Sequence, residues 1–104
     1  MLVISQRQSD SGIRLKAAQS ECVVRVVYSE QSPAAATLKI ESIRGYVEAV
    51  GMKLMAGGST YVFVGGHEVA ISVERVERGK TRLGFKADRA VSIVRLELLD
   101  VQRT

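Results

Sequence analysis

Hydrophobic and polar residues alternate with a period of two along most of this chain. In "GIRLKA" the apolar positions are Ile13, Leu15 and Ala17, and in "ECVVRVVY" they are Cys22, Val24 and Val26. "TYVFVGG" sets Val62 and Val64 against Tyr61 and Phe63, "HEVAISVERV" gives Val69, Ile71 and Val73, and "KTRLGFKA" gives Leu83 and Phe85. Successive side chains of a strand point to opposite faces, so these runs predict half-buried strands. Turn and loop compositions fall between them: "SDSG" (9–12), "SEQSP" (29–33), "AGGS" (56–59), "VGG" (64–66) and "ERGK" (77–80). Pro33 is expected in a linker, where its missing N–H harms no ladder.

One stretch admits two readings. "SPAAATLKIESIRGYVEAVGMKLM" offers an alanine run and a cap at Ser32, both favourable to a helix. Thr37, Ile40, Ile43 and Val47 are β-branched and Gly45 interrupts the segment, which favours strands. Otherwise only "LELLDVQRT" at the end has a helical look, and it provides at most two turns. The expectation is an all-β fold with at most a short C-terminal helix.

Composition narrows this further. A chain of 104 residues supports one core of ordinary size, and 46% hydrophobic with 25% charged residues is globular. The single cysteine, Cys22, has no internal disulfide partner and reads as a small core residue in a reducing compartment. "MLVISQRQ" sets polar residues after four apolar ones, the pattern of neither a signal peptide nor a membrane span, so a cytoplasmic location is expected. The net charge of +4 is uneven: residues 1–51 carry six Lys/Arg and five Asp/Glu (+1), residues 52–104 nine and six (+3). Such a balance is compatible with an anionic partner. Metal-spaced His/Cys sets, phosphate loops and nucleophile–base pairs are missing from the sequence, so neither an enzyme nor a cofactor or metal site is expected.

The chain also repeats itself. Shifted by 47 residues, "IRLKAAQSECVVRVVY" (13–28) falls against "TYVFVGGHEVAISVER" (60–75), aligning Glu21 with Glu68, Cys22 with Val69, Val24 with Ile71 and Val26 with Val73. With a small change of offset, "TLKIES" (37–42) resembles "RLGFKA" (82–87) and "YVEAVG" (46–51) resembles "AVSIVR" (90–95). "MLVIS" at 1 answers "MKLMA" at 52. Two repeats, 1–51 and 52–104, fused into one domain (1–104) are the expected organisation.

The second repeat, "GGHEVAISVERVERGKTRLGFKADRAVSIVRLELL", resembles the carbon storage regulator (CsrA/RsmA) family. The resemblance runs through Glu68-Val69, Gly79, Arg82-Leu83-Gly84, Ala87, Val91-Ser92-Ile93, Arg95 and Glu97, and through the opening "MLVISQR". It covers the first eight and last forty residues; the middle enters only through the repeat. The resemblance implies intertwined antiparallel sheets of the CsrA type, in which the first strand of one protomer lies beside the last strand of the other. Each such edge binds GGA-bearing hairpin loops in mRNA leaders or small RNAs. A tandem chain would be a single-chain version of that dimer, monomeric as a pseudo-dimer.

Under this reading the two edges differ. One joins "MLVISQR" to "AVSIVR" and keeps Arg7 and Arg95; the other joins Met52–Gly58 to Tyr46–Gly51 and has lost its arginines. Arginine suits the task because its planar fork donates two hydrogen bonds to guanine or phosphate and stacks on bases. The resemblance implies Arg7 and Arg95 as the main RNA contacts and Ile4, Ser5, Val91 and Ile93 as the platform. Arg89 is assigned to phosphate, and Gln6 to hydrogen bonding where the family prefers arginine. Val94, Leu96 and Asp88 also depart from the family pattern, replacing a frequent histidine, a frequent glutamate and the proline. The alternative is a protein-interaction module of the same fold that has lost RNA binding and pairs with a protein antagonist. His67 reads as a lone surface histidine, Glu74 to Lys80 as a solvated hairpin tip, and Met52 and Met55 as core fillers.

Overall fold

A computed structural model describes residues 1–45, 47–49 and 53–96 of the chain. The alternating runs form the strands β1 (Leu2–Arg7), β2 (Ile13–Ala17), β3 (Ser20–Gln31), β4 (Ala34–Arg44), β5 (Val47–Ala49), β6 (Lys53–Met55), β7 (Ser59–Val64), β8 (His67–Glu77), β9 (Lys80–Lys86) and β10 (Ser92–Arg95). No helix is delimited among the described residues; the expected C-terminal helix covers 96–104, of which Leu96 has helical backbone and 97–104 lie outside them. The ambiguous alanine-rich segment is β4: Ala35, Ala36 and Leu38 are buried, and the β-branched Thr37, Ile40 and Ile43 fit the pleat. The expected loop at 29–33 is shorter than its composition suggests. β3 continues to Gln31, and Ser32-Pro33 make the turn of a β3–β4 hairpin.

Two five-stranded antiparallel sheets pack face to face. The first has the order β1-β9-β8-β7-β5 and the second β10-β2-β3-β4-β6. Each takes its three central strands from one half of the chain and its two edge strands from the other. Adding five to each strand number of the first sheet, with β9, β8 and β7 wrapping to β4, β3 and β2, gives the second. The halves are therefore crossed.

The pleat explains the core. Ile13, Leu15, Val24, Val26, Val62, Val64, Val69, Ile71, Val73, Leu83 and Phe85 are buried, and each lies on the inward face of its strand. Leu54 and Val91 join them from β6 and from the connection before β10. Phe85 is the largest fully buried side chain, and small β-branched residues fill the space around it. The radius of gyration, 12.9 Å, matches the ~13 Å of a well-packed domain of this length. Cys22 lies in this core, where burial, helped by the Glu21 carboxylate, pushes its thiol up to about 11. Met55 corrects an expectation: on the short edge strand β6 it faces outward and is 48% exposed, so it fills no core gap. Met52 lies outside the described residues.

One pair of turns corresponds at the 47-residue offset. Ala18 after β2 and Gly65 after β7 are 47 positions apart and share the left-handed backbone, with φ of 52° and 58°. At Gly65 an added Cβ would sit 2.6 Å from the Ala17 carbonyl oxygen, so the two turns abut and only glycine fits there. Among the described residues no helix is long and apolar enough to cross a membrane.

Candidate nucleic-acid interface

β1 and β10 are each the edge strand of a different sheet. β1 pairs with β9, placing Ile4 opposite Leu83, Ser5 opposite Arg82 and Arg7 opposite Lys80. β10 pairs with β2, placing Ile93 opposite Leu15, Val94 opposite Arg14 and Arg95 opposite Ile13. The expected edge is therefore corrected: the first and last strands form no shared ladder. They approach across a groove between the sheets, lined by Leu2, Val3, Ile4, Ser5, Ile93, Val94 and Arg95. Half-buried Ile4 and Ile93 pack against the core beneath it. Arg95, cross-strand from Ile13, projects on the side of its sheet that faces β1.

Arg7 lies elsewhere. Cross-strand partners share a face, so Arg7, Ser5, Lys80 and Arg82 all stand on the outer face of the first sheet. A second hollow there is lined by Ser5, Arg7, Glu77, Arg78, Lys80 and Arg82. Ser5 belongs to both hollows and links them. The structure thus places Arg7 and Arg95 in different hollows that meet at Ser5.

Two further site residues are corrected. Gln6 is only 1% exposed: the pleat turns it inward opposite the buried Thr81, whose hydroxyl has no hydrogen-bond partner, and Gln6 Nε2 donates to the Ser5 carbonyl at 3.2 Å. Val91 is 8% exposed and packs in the core, so it anchors β10 from within and offers no platform. Arg89 is exposed in the β9–β10 connection and lines neither hollow.

Electrostatics favours an anion on this surface. Arg7 faces Lys80 directly across the β1–β9 ladder, and Arg75 faces Arg82 across β8–β9. Like charges directly opposite destabilise a sheet. Among the described residues only Arg75 of these has an ion pair, with Glu77 at 3.3 Å. In the sequence alone this hairpin tip reads as solvated charge. The signal it contained was the spacing of Lys80 and Arg82, which puts both on the face that Arg7 shares once β1 is known to pair with β9. The corresponding hairpin of the other half carries Ala34, Ala35 and Ala36 opposite Gln31, Glu30 and Ser29, and its Glu30 pairs with Lys53 of β6. The two hairpin tips thus differ in charge, while farther along the second sheet Arg25 faces Lys39 across the β3–β4 ladder. Tyr46, Val50, Gly51 and Met52 of the depleted edge lie outside the described residues.

A polar clasp steadies the segment leading into β10. His67 Nδ1 lies 2.9 Å from Asp88 Oδ2, the Ala90 N–H donates to Asp88 Oδ1 at 2.8 Å, and the Val91 N–H donates to the Asp88 carbonyl at 3.2 Å. The histidine read as solitary therefore has a partner 21 residues away. The His67 hydrogen bond, followed by that from Ala90, holds the Asp88 carboxyl below the usual carboxylate range. Its contribution is present above pH ~4, the ordinary aspartate value, and is lost as pH falls through the lowered one. His67→Ala should return Asp88 toward the ordinary value in an NMR titration of its carboxyl carbon. An unchanged titration would assign the shift to the Ala90 N–H alone.

Among the described residues no three His, Cys, Asp or Glu side chains come together as a metal site. Compared with known proteins, no protein family, no curated protein and no solved structure matches this chain.

Proposed function

We propose that this chain is a post-transcriptional regulator of the carbon storage regulator type, a single-chain pseudo-dimer that acts in the cytoplasm and binds one GGA-bearing RNA hairpin. The observation that carries the reading is the surface joining the β1–β10 groove to the Arg7–Lys80–Arg82 cluster through Ser5. Exposed edge backbone and Arg95 suit the bases of an unstacked loop. The unpaired cations beside them suit the phosphates of its stem. Occupying a ribosome-binding site or altering mRNA decay would follow from that contact.

Titration of a GGA hairpin into the protein at low salt tests this. One hairpin per 11.3 kDa chain is expected, with affinity falling as salt rises. Two equal sites would overturn the single-site reading, and no binding at low salt would overturn RNA recognition. In the second case the protein-interaction module becomes the better reading, favoured by the burial of Gln6, which withdraws one expected polar contact from the surface.

A further inference from the structure

The outer face of the first sheet has a second end, away from the groove. Tyr61 and Phe63, two residues apart on β7, point outward and are 51% and 36% exposed. Tyr61 stands in register with Ala70 of β8, and Ala70 with Lys86 of β9, so a ring, a small floor residue and a cation form one row across three strands. A hollow runs along this row and is lined by Tyr61, Glu68, Ala70, Lys86, Ala87 and Asp88. It is a separate place from the Arg7 cluster. Between the two, the side chains of Met1, Ser72 and Glu74 crowd over Gly84, where an added Cβ would meet Met1 Sδ at 2.7 Å and Ser72 Oγ at 2.6 Å.

The other sheet serves as an internal control. At the positions 47 residues earlier it carries Arg14 and Lys16 in place of Tyr61 and Phe63, and Arg14 Nε lies 3.8 Å from Glu21. The architecture therefore builds this face without aromatic rings. In the first sheet Glu68, the counterpart of Glu21, faces Phe63 across the ladder and has no ion pair among the described residues. Lys86 has none either. Counted over the register positions of this face, the cations Arg7, Arg75, Lys80, Arg82 and Lys86 exceed the acids Glu48, Glu68, Glu74 and Glu77 by one.

We infer that this end of the sheet is a stacking platform for single-stranded nucleic acid. Adjacent bases stack on Tyr61 and Phe63, Lys86 meets a backbone phosphate, and the Glu68 carboxylate accepts from a base amino group. Rings at alternate positions of one strand, beside a cation and a flat floor, are what sequence-tolerant base stacking needs. The Glu68 acceptor favours bases bearing an amino group, such as cytosine, over uracil.

The chain contains no tryptophan, so Tyr61→Trp gives a single reporter at the site. An unstructured 12-nucleotide oligocytidine, which contains no GGA, should quench its emission, and oligouridine should bind several-fold more weakly. In the protein without the tryptophan reporter, the double change Tyr61→Leu with Phe63→Leu retains apolar, strand-compatible side chains and should lower oligocytidine affinity, read by calorimetric titration, about tenfold or more. Thermal melting of that variant confirms that it is folded. Absence of quenching, or unchanged affinity in the folded leucine variant, overturns the platform, and equal affinity for the two oligonucleotides removes Glu68 from it. Arg95→Ala should leave the quenching intact, so this inference and the groove reading fail separately.

Discussion

Phe85→Ala is expected to lower the stability of the folded chain by about 3–5 kcal/mol, the usual cost of truncating a buried phenylalanine. Phe85 is 1% exposed, lies between Leu2 of β1 and Ile71 of β8 in the ladders of its sheet, and is the largest side chain of a core built mainly from valine, isoleucine and leucine. Stiff β-branched neighbours cannot swing into the vacated space, so most of the cavity would persist. For a domain whose total stability is ~5–15 kcal/mol, this is a large share. Urea unfolding should show the midpoint falling by roughly 2–3 M at an unchanged slope. A loss below ~1.5 kcal/mol would mean that the sheets close over the gap, and that their separation is not set by this ring.

Arg95→Ala should weaken binding of a GGA hairpin by about 1–3 kcal/mol, equivalent to a five- to 150-fold rise in Kd. Arg95 borders the groove on the β10 side, and its cross-strand partner Ile13 fixes the direction in which it leaves the sheet. Under the proposed function, the same change should also flatten the preference for GGA over a permuted loop. Arg7→Ala should act differently, weakening all hairpins alike and reducing the salt slope by about one, because it stands in the exposed cluster with Lys80 and Arg82. If the two variants lose the same affinity and keep the same sequence preference, the division between groove and cluster is wrong.

The strands were legible because each buries one face, and alternation such as Val69, Ile71, Val73 leaves little choice of period. The alanine run at 34–36 was ambiguous because alanine packs as well in a sheet as in a helix, and only its neighbours in space decide. Half of the candidate site was legible too. Ile4, Ser5, Ile93 and Arg95 do line one groove. What failed was assigning faces within β1, where Gln6 alternates with Ser5 and Arg7 and so turns inward to Thr81. Val91 failed for a related reason: it precedes the strand and follows the chain's crossing into the core. The pairing of β1 with β9 joins residues some eighty positions apart, and with it the like-charged pair Arg7 and Lys80; local patterns carry no record of such a partner. The same holds for His67 and Asp88.

The crossed halves have a genetic consequence. In a symmetric homodimer one codon specifies a residue at two places, so any change to one edge is imposed on its twin. Here every position is encoded once, and the strands flanking each sheet come from the opposite half of the gene. The Arg7 side can keep its charge while the Ala34–Ala36 side drifts, and neither change alters the other's backbone ladder.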